Sequence, residues 1–150
     1  MTKLAVSACL LGQRCRYNGE ATPCEAIIER AKAEDAIPLC PECLGGLPVP
    51  RLPSEIQGGD GDDVLDGRAK VVDKQGRDVT SAFIKGAEEA LALCREAGVK
   101  EAVLKARSPS CGVGIIYDGS FSGQCIEGLG VTAALFKRHG IVLSTEEDAE

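Results

Sequence analysis

Cysteine stands at the end of three short segments of this 150-residue chain, and each segment reads as a strand running into a tight turn: Val6-Ser7-Ala8-Cys9, Ile37-Pro38-Leu39-Cys40-Pro41-Glu42 and Leu104-Lys105-Ala106-Arg107-Ser108-Pro109-Ser110-Cys111-Gly112. Strands lying side by side in one parallel sheet would bring Cys9, Cys40 and Cys111 to its C-terminal edge, where open α/β sheets hold their ligands. Three thiolates converging there make a soft, anionic nest that suits an iron–sulfur cluster better than a hard ion. A cubane cluster takes four thiolates. Three leave one iron open to a substrate, which points to chemistry rather than electron carriage.

The elements needed to position these residues are visible in the hydrophobic pattern. Leu4 to Leu11 is a continuous apolar run ending at Gly12, the signature of a buried parallel strand. Thr22 as N-cap, Pro23 at the first position and Glu25 closing a capping box predict a helix ending near Glu34. A short strand, Ala36 to Leu39, leads into Cys40. Residues 44–67 are rich in Gly, Pro and Asp and read as a long loop, a lid or pocket wall. Within it Asp60-Gly61-Asp62-Asp63 lacks the closing Glu of a calcium loop and reads as a solvated turn. Ala69 to Val72 begins a hairpin. Phe83, Ile84, Ala87, Leu91 and Cys94 share one stripe of a helix from Thr80 to Ala97, capped by Gly98. A third strand, Ala102 to Ala106, carries the last cysteine segment. Tyr117-Asp118-Gly119-Ser120 reads as a hairpin turn, Gly128 to Arg138 as a helix and Ile141 to Ser144 as a final buried strand. This alternation predicts an α/β fold: a single-domain three-layer sandwich, mainly parallel in its sheet, with helices on both faces.

Composition narrows the chemistry. The hydrophobic fraction of 44% suits a globular core, and only the acidic tail 146–150 reads as disordered. With two Tyr, three Phe and no Trp, base-stacking platforms are few, and a net charge of −6 repels a phosphate backbone, so extended nucleic-acid binding is not expected. The apolar stretch between Lys3 and Cys9 is too short for a secretory leader, and no run reaches membrane-spanning length, so the chain reads as cytoplasmic. In a reducing cytosol eight cysteines mean metal binding or catalysis, not a disulfide framework. Cys94 reads as core and Cys24 as the first turn of a helix, while Cys125 follows a turn.

Around the three cysteines, Ser108-Pro109-Ser110-Cys111-Gly112-Val113-Gly114 is the most specific turn: Gly112 and Gly114 let the main chain approach a bulky anionic group. Cys40-Pro41-Glu42-Cys43 is a C-x-x-C, but no second pair completes a zinc knuckle, and Leu44-Gly45-Gly46 starts no helix of the thioredoxin kind. Glu42 is either a proton carrier with a carboxyl raised by burial or a turn cap. Arg14, Arg16, Arg51, Lys105 and Arg107 flank the turns and could offset cluster charge or clasp substrate. The single histidine, His139, closes a helix, which removes support for a Ser-His-Asp triad.

Ser7-Ala8-Cys9-Leu10-Leu11-Gly12, Cys15-Arg16-Tyr17-Asn18-Gly19, Cys40-Pro41-Glu42 with Gly45-Gly46-Leu47-Pro48-Val49-Pro50-Arg51, and Ser108-Pro109-Ser110-Cys111-Gly112 together resemble the thiouracil desulfidase family, in order and over nearly the whole chain. The resemblance implies a [4Fe–4S] cluster held by Cys9, Cys40 and Cys111, a free iron that takes the sulfur of a small thiolated substrate, and Glu42 with Ser108 as the catalytic polar pair. The expected activity is non-redox, hydrolytic desulfuration of a thiolated nucleobase such as thiouracil or a related thioamide. Cys43 and Cys15 are additional thiols in these segments, and a cluster with one of them as fourth ligand would be an electron-transfer or redox-sensing module instead. A zinc protein is the third reading.

Overall fold

The computed structural model describes residues 4–149; Lys3 and Glu150 lie outside the described residues. Four strands form one parallel sheet in the order β2-β1-β5-β8: β1 (Leu4–Ser7), β2 (Ile37–Leu39), β5 (Glu101–Leu104) and β8 (Val142–Thr145). Side chains alternate across it. Leu4, Val6 and Val103 pack under α1 (Glu25–Glu34) with Ile27 and Ala31. Ala5, Ala102 and Leu104 pack on the other face against α4 (Thr80–Ala97) and α5 (Val131–Arg138), through Ala90, Leu91, Cys94, Ala133 and Phe136. The sheet therefore carries helices on both faces, as the alternation predicts, and Cys94 is core.

Several boundaries differ from the expected ones. β1 ends at Ser7, and Ala8–Leu11 form a 3-10 turn closed by Gly12 at φ 97°. Ala8, Cys9 and Leu10 of that turn are buried like the strand, and burial alone made the apolar run look continuous. α1 begins at Glu25 behind Cys24, with no side-chain cap. Thr22 is not the N-cap: its N–H, like that of Cys24, goes back to the turn, onto the carbonyls of Cys9 and Leu10 at 3.0 Å each.

Residues 44–67 are more ordered than their composition suggests. β3 (Ser54–Gln57) pairs antiparallel with β4 (Lys70–Asp73), so β4's main partner lies upstream and the expected return strand contributes a single bridge, Val72 to Asp78. Asp60-Gly61-Asp62-Asp63 starts a helix, α3 (Gly61–Leu65), through a reciprocal capping box between Asp60 and Asp63. β6 (Ile115–Tyr117) and β7 (Cys125–Glu127) form a hairpin with a wider loop than expected, 118–124. A second core cluster, Ile56, Val64, Val71, Phe83, Ala87, Ile116 and Val131, fastens these pieces to α4 and α5. The acidic tail is folded through Ala149: Glu146–Ala149 form a 3-10 turn after β8.

A helical turn also stands where none was expected. Pro41–Leu44 form α2, with Cys40 at its N-cap. It lies on α4 through glycines: a Cβ on Gly86 would collide with the Pro41 carbonyl, and one on Gly45 with the Ala82 carbonyl.

Candidate active site

The C-terminal ends of β1, β2 and β5 open on one cavity of about 410 Å³. Cys9, Cys40 and Cys111 all line it, with Cys15, Glu42, Arg51, Lys105, Arg107 and Ser108. Parallel strands deliver the three segments to one edge, and each then turns by its own device. The first is the 3-10 turn after Ser7. The second is Cys40 at the start of α2. The third is the Ser108 turn, whose hydroxyl oxygen accepts the N–H groups of Ser110 and Cys111 at 3.1 Å each. That turn is pressed against α5: Gly130 leaves no room for a Cβ beside Ser110, and the buried hydroxyls of Ser110 and Thr132 meet at 2.7 Å.

Glu42 projects from α2 into the cavity and meets Arg51, Nε to Oε1 at 3.0 Å, with the Arg51 side chain 7% and the Glu42 side chain 17% exposed. Arg51 also donates to the carbonyls of Pro48 and Cys15, at 3.0 Å each. One guanidinium thus ties α2 and the Cys15 loop to its own segment. Burial raises the Glu42 carboxyl above the usual carboxylate range, against the pull of Arg51 and of a hydrogen bond with Ser108. Lys105 is engaged by Glu146, Nζ to Oε2 at 2.7 Å, while its N–H donates to Ser7 Oγ at 2.9 Å. Arg107 pairs with Glu147 at 2.8 Å, and Arg16 lies 5.6 Å from the centre of the Tyr17 ring. Arg14 is exposed and does not line the cavity.

The thiols are not equivalent. Cys40 is lowered to about 5, first by a hydrogen bond with Cys15 and then by Cys43 and the charge of Arg51. Cys9 is lowered to about 7, again first by Cys15, with further help from Thr22 and Lys105. Cys15 lies between the two and is raised, its proton shared toward Cys40 and Cys9. Burial pushes Cys111 up to about 12, and burial together with Cys40 pushes Cys43 up to about 11. Cys24 packs at the start of α1, and Cys125 is exposed on β7 and does not line the cavity.

Among the described residues no three His, Cys, Asp or Glu side chains close on one point as a single ion requires. The cysteines share a cavity rather than a point, which is the room a polynuclear group needs. The Thr22 hydroxyl oxygen is buried, and apart from the Cys9 sulfur beside it no group is placed to pair with it. A buried hydroxyl is rarely left so; a thiolate fixed on Cys9 by a metal would accept a hydrogen bond from it. Soft donors, a cluster-sized cavity and this waiting donor fit an iron–sulfur group.

Arg51 as the partner of Glu42, and the cavity wall formed by Tyr17, Glu55, Lys74, Tyr117 and Phe121, were not singled out by sequence spacing. Arg51 sits eight residues beyond the C-x-x-C, in a segment with no periodicity to show where it folds.

A family model described as 2-thiouracil desulfurase matches residues 4–148. A Bacillus subtilis (strain 168) protein, called uncharacterized protein YbbK, is 47% identical over 145 residues, spanning 97% of this chain and 96% of its own length. Among solved structures, the [4Fe-4S]-dependent thiouracil desulfidase TudS superposes with a TM-score of 0.87 at 45% identity, covering 99% of this chain and 93% of that one.

Proposed function

This chain belongs to the 2-thiouracil desulfurase family, and on that premise we propose that it is a [4Fe–4S]-dependent enzyme that removes sulfur from thiouracil or a closely related thiolated base by hydrolysis. The observation that carries the reading is the meeting of Cys9, Cys40, Cys111, Glu42 and Ser108 around one cavity. Cys9, Cys40 and Cys111 would hold the cluster, which when bound supplies a soft Lewis acid with one iron open to a thiocarbonyl sulfur. In the overall change the water oxygen bonds to the ring carbon, the carbon–sulfur bond breaks, and sulfur departs as sulfide with no change in oxidation state.

Glu42 is suited to take a proton from that water, because burial raises its carboxyl above the ordinary carboxylate value and so makes it a stronger base, while Arg51 keeps it oriented. Ser108 accepts two backbone N–H groups, which leaves its own proton free to be donated, to Glu42 or to the substrate. Arg51, Pro53, Ser54 and Glu55 of the 44–67 segment contribute one wall of the cavity. No helix among the described residues is long and apolar enough to cross a membrane. The unpaired cysteines support a reducing, cytoplasmic setting for the enzyme.

The test is anaerobic reconstitution of wild type and Glu42→Gln followed by sulfide release from thiouracil. The variant should keep the cluster's visible absorption and lose at least about 100-fold in turnover, the usual weight of one acid–base group. Full turnover in Glu42→Gln removes Glu42 from the chemistry, and loss of the absorption makes it structural. Cys15, placed between Cys9 and Cys40, favours one alternative: a fourth thiolate closing the cluster for electron transfer. A closed cluster would be spectroscopically blind to added thiouracil.

A further inference from the structure

The chain has two tyrosines and three phenylalanines. Phe83 and Phe136 are buried in the core, and the other three aromatic residues, Tyr17, Tyr117 and Phe121, all line the cavity. Phe121 is also held in an unusual way. Among the described residues three that are not glycine have positive φ; Asp35 closes α1, and the other two, Arg107 and Phe121, line the cavity. A bulky side chain at φ 57° costs backbone energy and persists only when its surroundings hold it.

The holding group is Glu55. This carboxylate is 9% exposed, and its Oε1 accepts the N–H of Gly119 at 2.9 Å and of Phe121 at 3.1 Å. Gln57, two residues along the same strand, donates to the Gly119 carbonyl at 2.9 Å. Gly119 is itself pressed so closely on the Ile56 carbonyl that a Cβ would not fit. β3 therefore holds Gly119 and Phe121 of the loop 118–124, and with them a ring at the cavity wall. A surface loop with no role has no need of a buried carboxylate at its base.

We propose that Phe121 is a specificity-determining residue that stacks on the planar ring of the substrate, and that Glu55 is the positioning residue that holds it there. The inference rests on the desulfidase reading and adds to it the way in which a flat heteroaromatic thioamide is preferred over a ring-less one. Stacking of this kind is worth about tenfold in affinity.

The experiment measures binding on the reconstituted, anaerobic protein through the change in cluster absorption, with thiouracil and with thiourea, which carries the thiocarbonyl but no ring. Phe121→Gly relieves the positive φ while deleting the ring. It should leave the melting temperature at or above that of wild type and lower the ratio of thiouracil to thiourea affinity about tenfold. Phe121→Tyr should restore the ratio, and Glu55→Ala should lower it as Phe121→Gly does. An unchanged ratio in Phe121→Gly, or equal weakening of both ligands, overturns the role of Phe121. An unchanged ratio in Glu55→Ala overturns that of Glu55. A wild type that responds to neither ligand overturns the underlying desulfidase reading instead.

Discussion

At the scale of single residues the site depends on one cation that the sequence pattern does not distinguish from its neighbours. Arg51 is nearly buried and has three partners: Glu42 on α2, Pro48 in its own segment and Cys15 in the loop after the first turn. Removing one member of a buried pair costs more than the pair is worth, because it strands the other charge. Arg51→Met should lower stability to chemical denaturation by about 3 kcal/mol, and it should impair cluster retention, since the Cys15 loop loses its tether. A variant of wild-type stability would mean that water replaces the guanidinium without loss. Cys9, Cys40 and Cys111, with Glu42 beside Cys40, were legible because each sits in a short segment whose turn residues announce it; Ser108 was singled out only by the family resemblance. Arg51, Thr22, Glu55 and Phe121 were not legible. Their roles come from contacts across 9 to 66 positions of sequence, such as Glu42 with Arg51 and Glu55 with Phe121, and no periodicity encodes those.

At the scale of elements, the parallel order β2-β1-β5-β8 turns three distant cysteines into neighbours, and this was readable from alternating strand and helix patterns. What could not be read was the short helix α2. Four residues show no helical period, and of the two glycines that let it lie on α4, Gly45 looks like a loop glycine while Gly86 is one small residue inside the α4 pattern. Gly86→Ala tests this packing. Its methyl would strike the Pro41 carbonyl and push α2 away from α4, carrying Cys40 and Glu42 with it. The expected result is a lowered melting temperature together with incomplete cluster incorporation, measured as iron and acid-labile sulfide per chain. Alanine favours a helix interior over glycine by about 1 kcal/mol, so a stabilised variant with a full cluster would show that the α2–α4 contact yields easily. The pattern that predicted a bare loop over 44–67 failed for the same reason: β3 and α3 are short, and they are stabilised by β4, α4 and α5 rather than by their own propensity.

At the scale of the whole molecule, acid should loosen the side that carries α3. The Asp63 carboxyl lies below its ordinary value, first because the Asp60 N–H is donated to it and then because Arg68 pairs with it. A carboxyl lowered in the folded state adds stability above its unfolded value and loses it as pH falls through the folded one. Stability measured by denaturation should therefore decline below about pH 4, and Asp63→Asn should flatten that decline while lowering the plateau above it. An equally steep decline in the variant would assign it to other carboxylates. The same end of the molecule leads back to the cysteines, since Arg138 of α5 reaches Asp62 at 3.0 Å and Asp66 at 3.2 Å, while the start of α5 buttresses Ser110. Glu146, one residue past β8, completes the support by gripping Lys105 and the Ala106 N–H. This has a consequence for biogenesis. On the ribosome Cys9 and Cys40 emerge early, but the hollow that must receive iron and sulfide has no firm third side until α5, β8 and Glu146 have followed. Cluster insertion would then act on a chain already folded through Glu146 rather than on the two early cysteine segments alone.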